Sequence, residues 1–148
     1  MNAESVTPRI ATVYELQAAA LEPRLEKLGI TWSTFQLLST IHSAEEDCSQ
    51  AVIATRLGIT PATLSESVAS HVASGLIAQV PSSRDKRVKT LTLTASAKKT
   101  MEKILREVQA VEEAMVRGVA ENTLESTNRV LDRYRKNLEK LITESESV

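Results

Sequence analysis

The sequence predicts a mainly α-helical protein with one small β-hairpin. Apolar residues recur at helical spacing along most of the 148 residues, and the period changes to alternation only around residues 76–93. Aromatic residues make up 3% of the chain, so the core must be built from Leu, Ile, Val and Ala, which suits packed helices. The order is helix, helix, helix, short glycine turn, helix, hairpin and two further helices. This order predicts a winged helix-turn-helix, α1-α2-α3-α4-β-wing-β-α5-α6.

The first two helices are predicted over residues 8–28 and 32–44. Pro8 suits the start of the first helix, and Gly29 ends the segment. Pro23 lies inside the pattern and should kink or divide the helix, because it lacks an N–H and clashes with the preceding turn. Thr31 is the predicted N-cap of the second helix.

The next two helices form the predicted helix-turn-helix. Ser49 caps a short helix over residues 50–57, which ends at Gly58. Thr60 and Pro61 supply a capping hydroxyl and a proline at the first helical position of the following helix. This last helix should run to Gly75.

The hairpin is predicted from two short strands, residues 76–80 and 90–93, joined by a charged loop. Thr94 then caps a long helix to residue 119, and a final helix covers about 124–142.

The terminal helices carry more apolar surface than a small domain can cover, and they therefore predict a homodimer. We expect residues 1–30 and 119–148 to form the helical dimerisation region. Residues 31–100 should be the DNA-binding domain, and 95–118 the connecting helix.

Charge is distributed unevenly, although the net charge is only −1. Residues 30–83 hold one cation against four acids, whereas residues 84–103 hold seven cations against two acids. Four of these cations fall within the loop 84–89. Because cations must share a face to neutralise DNA phosphates, the loop is the predicted electrostatic contact; the alternative is a solvated hairpin tip.

The sequence favours neither catalysis nor membrane insertion. It shows no nucleophile–base pair, no glycine-rich phosphate loop and no metal-ligand spacing, so we predict no enzyme, no cofactor and no metal. No apolar run has the length of a membrane span, and the N-terminus has no signal-peptide pattern. We expect a cytoplasmic protein that does not contact a membrane.

Three segments together resemble the MarR (multiple antibiotic resistance regulator) family: LGITWSTFQLLSTI, SQAVIATRLGITPATLSESVASHVASGLI and VPSSRDKRVKTLTLTASAKK. The most specific signature is an acid followed two positions later by arginine and then by a Leu-x-Leu-Thr strand. Here these residues are Asp85, Arg87 and Leu91-Thr92-Leu93-Thr94.

The resemblance implies a homodimeric transcriptional regulator, usually a repressor, that binds a palindromic operator in double-stranded DNA. In the family a small phenolic or aromatic effector, or oxidation of a cysteine, typically releases the DNA. The resemblance places the DNA contacts on the helix-turn-helix and on the wing, with Arg87 inserting into the minor groove. The candidates are Ser49, Gln50, Thr60, Ala62, Thr63, Ser65, Glu66, Ser70, Arg84, Asp85, Lys86, Arg87 and Lys89.

The sequence departs from the family pattern in its reading helix. Glu66 and Ser70 stand where basic residues are common, and Gln79 and Val80 replace two further frequent cations. The wing should therefore supply a larger share of the binding energy than in a typical relative. Glu66 could accept a hydrogen bond from a cytosine amino group, repel phosphates, or be a solvated helix residue.

The resemblance also implies an effector pocket beside the first two helices. Its candidate lining residues are Tyr14, Trp32, Phe35, Gln36 and Ser39, for each of which a place in the core is the alternative. Cys48 precedes a helix N-terminus, where a thiolate is stabilised, but the neighbouring acids 45–47 oppose this.

A different function is also open. The neutral reading helix is compatible with a dimeric winged-helix module that binds proteins and has no specific operator. The charged wing argues against that alternative.

Overall fold

The computed structural model of the chain describes residues 5–44 and 48–145. The acidic turn 45–47, expected to stop the second helix, and the last three residues of the polar tail lie outside these ranges. The elements are α1 (Val6–Glu26), α2 (Trp32–Ser43), α3 (Gln50–Leu57), α4 (Pro61–Ala73), β1 (Ile77–Pro81), β2 (Lys89–Leu93), α5 (Ala95–Met115) and α6 (Glu121–Ser145). The predicted element order and the mainly helical class are confirmed.

The four predicted N-caps are confirmed. In each case a threonine or serine hydroxyl accepts a hydrogen bond from the backbone N–H three residues later, which satisfies one of the helix's unpaired donors. The bonds are Thr34 N to Thr31 Oγ1 (3.2 Å), Val52 N to Ser49 Oγ (3.4 Å), Thr63 N to Thr60 Oγ1 (3.2 Å) and Ala97 N to Thr94 Oγ1 (3.1 Å).

Pro23 does not divide α1, which is one continuous helix through residue 26. Of the two expected effects, a kink or a division, the division is therefore wrong. Leu21 and Leu25, on either side of the proline, are 3% and 0% exposed. Burial of these side chains against the core offsets the one backbone hydrogen bond that proline cannot donate.

The hydrophobic core of residues up to 111 joins every element there. Its fully buried side chains include Leu25 of α1, Leu38 of α2, Ile53 of α3, Leu64 of α4 and Ile104 of α5. Leucine and isoleucine dominate, as the low aromatic content predicts.

The wing is a two-stranded antiparallel sheet whose strands pair from Ile77 with Leu93 to Pro81 with Lys89. The first strand is displaced by one residue from its predicted bounds, and the second begins one residue earlier than predicted and ends where predicted. Ile77 and Leu93 are both buried, so this cross-strand pair attaches the base of the wing to the core. An isolated bridge between Ser49 and Thr90 places the start of α3 beside β2.

The chain divides into two compact units between Val111 and Glu112. In the first unit, the N-terminal half of α1 exposes an apolar face that includes Ile10, Val13 and Leu16.

In the second unit, α6 has no buried residue along its whole length. It exposes Leu131, Leu138 and Leu141 at 45%, 58% and 59%. These residues follow one another at spacings of seven and three, so they share one side of the helix.

Candidate nucleic-acid interface

Helix α4 has one buried face and one exposed face. Leu64 and Val68 are each 1% exposed and attach the helix to the core. The predicted DNA contacts of this region lie on its outward side or at its N-cap, and all of them are exposed: Thr60, Ala62, Thr63, Ser65, Glu66 and Ser70.

Several hydroxyl groups of α4 already form hydrogen bonds within the helix. Thr60 Oγ1 lies 2.9 Å from Thr63 Oγ1, so one of these two protons is used between them. Ser65 Oγ donates to the Pro61 carbonyl at 2.9 Å. The first turns of α4 therefore offer fewer side-chain donors to a ligand than their composition suggests.

Asp85 and Arg87, the two residues of the wing signature, form an ion pair in the wing turn. Asp85 Oδ1 accepts both the Arg87 backbone N–H at 3.0 Å and Arg87 Nε at 3.3 Å. Because both donors converge on one oxygen, the carboxylate fixes both the backbone of the turn and the position of the guanidinium. The Arg87 side chain is still 92% exposed, so it remains accessible to a ligand.

The wing tip has a second organising residue that sequence reasoning missed. Ser82 is 5% exposed, and its Oγ accepts from the Arg84 N–H at 3.1 Å and the Asp85 N–H at 3.4 Å. Its own N–H donates to the Val88 carbonyl at 2.8 Å. Serine at the first position of a tight turn was the available signal. The loop that carries the cations is thus an ordered turn.

The predicted wing contacts sit on this turn and at the start of β2. Arg84, Lys86, Arg87 and Lys89 are exposed, whereas Asp85 is half-buried. Ser49 and Gln50 are also half-buried at the start of α3, where the Ser49 hydroxyl is engaged in capping.

A polar chain connects α4 to α2. His71 Nδ1 lies 2.6 Å from the Ser67 carbonyl oxygen, and Nε2 lies 3.1 Å from Thr34 Oγ1. Thr31 in turn donates to Thr34 at 2.9 Å. The half-buried imidazole is therefore satisfied on both nitrogens, and it positions the last turn of α4 against the first turn of α2.

The five predicted pocket residues line one cleft of about 520 Å³ in the first unit. Its other walls come from α1, the end of α3, the following turn and α5. The lining residues are Tyr14, Gln17, Leu21, Trp32, Phe35, Gln36, Ser39, Thr40, Thr55, Arg56, Leu57, Gly58 and Val108.

The cleft has an aromatic wall and several polar groups. The Trp32 ring centroid lies 5.1 Å from that of Phe35 and 6.5 Å from that of Tyr14, and Gln36 Nε2 donates to Tyr14 Oη at 3.3 Å. Ser39 Oγ is buried and has no hydrogen-bond partner in the described part of the chain. Because a buried hydroxyl without a partner is unfavourable, the cleft suits an occupant that completes this bond.

Arg56 is a cationic lining residue that the pocket prediction omitted. It is the one cation of residues 30–83, but helical periodicity could not place the end of α3 against α2. That placement depends on the tertiary packing of the two helices.

Other reactive groups are sparse in the described ranges. The Cys48 thiol is half-buried and donates to the Ser49 carbonyl at 3.9 Å. Among residues 5–44 and 48–145 no cluster of three His, Cys, Asp or Glu could hold a metal ion. Within the same ranges no helix combines the length and apolarity needed to cross a bilayer.

Two adjoining helices with a glycine turn, followed by a cationic two-stranded wing, define a winged helix-turn-helix protein. The sequence model described as "MarR family" matches residues 28–88. This match covers α2 to the wing loop and includes Asp85 and Arg87, whereas the Leu91-Thr92-Leu93-Thr94 strand of the signature lies beyond it. Residues 28–88 are therefore similar to the MarR family, whose members are DNA-binding transcriptional regulators and not enzymes.

Solved structures share this fold over almost the whole chain. The transcriptional regulator PA3341 is 23% identical with a TM-score of 0.82, over 92% of this chain and 99% of that one. MepR from S. aureus, in complex with DNA, is 21% identical with a TM-score of 0.71, over 90% and 98%. CouR from Rhodococcus jostii, bound to p-coumaroyl-CoA, is 16% identical with a TM-score of 0.74, over 87% and 90%.

Proposed function

We propose that the chain is a homodimeric transcriptional repressor that binds a palindromic operator and is released by a small phenolic or aromatic effector. The observation that carries this proposal is the presence of an exposed α4 face and an ordered cationic wing in one compact unit. A helix in the major groove with a flanking wing arginine reads both base edges and groove shape. A cytoplasmic location is consistent with such a DNA-binding regulator.

The homodimer is supported by apolar surface that each unit leaves uncovered. In α1 the exposed residues include Ile10, Val13 and Leu16, and in α6 they include Leu138 and Leu141. Burial of such faces by a second copy contributes roughly 25 cal/mol per Å² of apolar surface. A two-fold dimer also presents two reading helices to half-sites about one DNA turn apart, which is why we expect a palindromic operator.

Binding of DNA is further supported by the structural likeness to the MepR–DNA complex. The proposed contacts are the outward residues of α4, the start of α3 and the wing cations. Arg84, Lys86, Arg87 and Lys89 supply four cations per protomer against the single acid Asp85. Since the α4 face carries no cation, we expect the wing to dominate the electrostatic part of the affinity.

Release by an effector is supported by the aromatic cleft and by the likeness to CouR, a structure that holds an aromatic thioester. Leu57, the last residue of α3, and Gly58, the first residue of the turn before α4, are part of the cleft wall. An occupant that displaces this wall would move the turn and change the angle at which α4 enters the groove. The buried Ser39 hydroxyl and the Arg56 guanidinium would orient the polar groups of the effector.

The DNA-binding proposal is tested with the intergenic DNA next to the gene. Fluorescence anisotropy should show tighter binding to this DNA than to random duplex of equal length, with a steep decrease of affinity with salt. Equal affinity for both duplexes would refute specific binding to an operator in this DNA. Absence of binding to either would instead favour a protein-interaction module.

The effector proposal is tested by the fluorescence of Trp32, the only tryptophan of the chain. Phenolic and aromatic compounds that bind the cleft should quench this emission and dissociate the operator complex over the same concentration range. Ser39→Ala, which removes the hydroxyl and adds no volume to the cleft, should weaken both effects in parallel. Dissociation of DNA without any change in Trp32 emission would exclude this cleft as the effector site.

A further inference from the structure

We propose that Glu66 is a specificity-determining residue that selects a cytosine in each operator half-site. This inference rests on the proposed binding of α4 in the major groove and adds the base that the helix reads. Glu66 is the only acid of α4. Its negative charge is unfavourable near DNA phosphates, so a carboxylate at this position calls for an explanation.

The position of Glu66 on the helix is central to the exposed face. Glu66 lies two residues after Leu64 and two before Val68, which are both 1% exposed. At about 100° per residue, it is therefore about 160° around the helix axis from each of these buried anchors. Glu66 thus projects directly away from the core, toward whatever α4 faces.

The residues around Glu66 leave its carboxylate accessible. Ala62 and Ala69, which are its neighbours one turn before and one turn after, are exposed and have only a methyl side chain. In residues 5–44 and 48–145 Glu66 has neither a salt bridge nor a side-chain hydrogen bond. A carboxylate that stabilised the helix would be expected to form an ion pair with a cation or to cap the helix, and Glu66 does neither in the described residues.

The chemistry of the exposed face then favours one kind of base edge. An ionised carboxylate only accepts hydrogen bonds, and the hydroxyl proton of Ser65 is already donated to the Pro61 carbonyl. In the major groove the amino donors are cytosine N4 and adenine N6. Adenine also presents its N7 lone pair beside N6, which repels a carboxylate, whereas cytosine presents N4 alone. Glu66 therefore selects cytosine over adenine.

The test is selection from a library of randomised palindromic duplexes, with wild type, Glu66→Gln and Glu66→Ala compared. We expect wild type to enrich cytosine at one symmetric pair of positions. Glu66→Gln should change that base to adenine, because glutamine pairs with adenine N6 and N7. Glu66→Ala should lose discrimination there by about tenfold or more per half-site, and keep the preferences elsewhere.

Glu102→Gln is the matched control, since Glu102 is an exposed acid of α5 and its loss changes the net charge equally. It should leave every base preference unchanged. If Glu66→Gln and Glu66→Ala retain the wild-type base preferences, Glu66 does not read a base and the inference is overturned. A uniform rise in affinity for all sequences would show in addition that Glu66 repels phosphates. If wild type itself enriches no sequence, the proposed operator binding fails, and the inference fails with it.

Discussion

Replacement of Arg87 by alanine tests the role of the wing most directly. Its side chain is 92% exposed and, among the described residues, its guanidinium is held only by Asp85 at 3.3 Å, so its removal leaves the core and the turn at Ser82 intact. A dimer would lose two cations from the minor groove, and each cation that releases a DNA counterion contributes about 0.9 to the slope of log affinity against log salt. The slope should become shallower by about 1.8, and the affinity near 0.15 M salt should decrease by about 30-fold.

The assay is anisotropy titration of labelled operator between about 50 and about 200 mM salt. Arg133→Ala is the control, because Arg133 is an exposed cation of α6 outside the wing. Its slope should match that of wild type. If Arg87→Ala keeps the wild-type slope, or if both variants lower it equally, then Arg87 is not a DNA contact and the wing is a solvated tip.

Three further changes test the core, the turn and the dimer. Leu38→Ala, at a fully buried site, should lower the free energy of unfolding by about 2 to 5 kcal/mol in urea denaturation, and a loss below about 1 kcal/mol would contradict the described core. Gly58→Ala meets no atom within 4 Å but must adopt a φ of 65°, so it should cost about 1 kcal/mol in the same assay with operator specificity retained. Leu138→Glu places a charge on the exposed face of α6 and should convert the dimer into a monomer in light scattering; an unchanged dimer mass would exclude that face as the interface.

The Asp85–Arg87 pair shows where sequence reasoning was sufficient and where it was not. A carboxylate and a guanidinium two residues apart in a short turn can hardly avoid contact, so their pairing was predictable. The convergence of two N–H groups on one carboxylate oxygen was not, because it depends on the backbone path that Ser82 imposes. Whether this turn contacts DNA stays a prediction.

The cleft likewise separates what the sequence predicted from what the packing of the helices decided. Tyr14, Trp32 and Phe35 could be grouped from the resemblance, and the structure places them together around one cavity. Arg56 and the buried Ser39 hydroxyl became candidates only when α3 was seen against α2. The packing of helices that are distant in the chain determines which residues become neighbours, and the helical periodicity of a sequence contains no information about this packing.

Local interactions explain what the sequence determined by itself: the four hydroxyl caps, the end of α3 at Gly58, the hairpin and the concentration of cations at its tip. Each depends on residues only a few positions apart, so propensity and spacing were enough. The tertiary structure decided that α1 continues through Pro23, that Ser49 lies beside Thr90 and that Glu66 faces directly outward with no partner in the described ranges. These features depend on which faces the core buries, a collective property of helices distant in the chain.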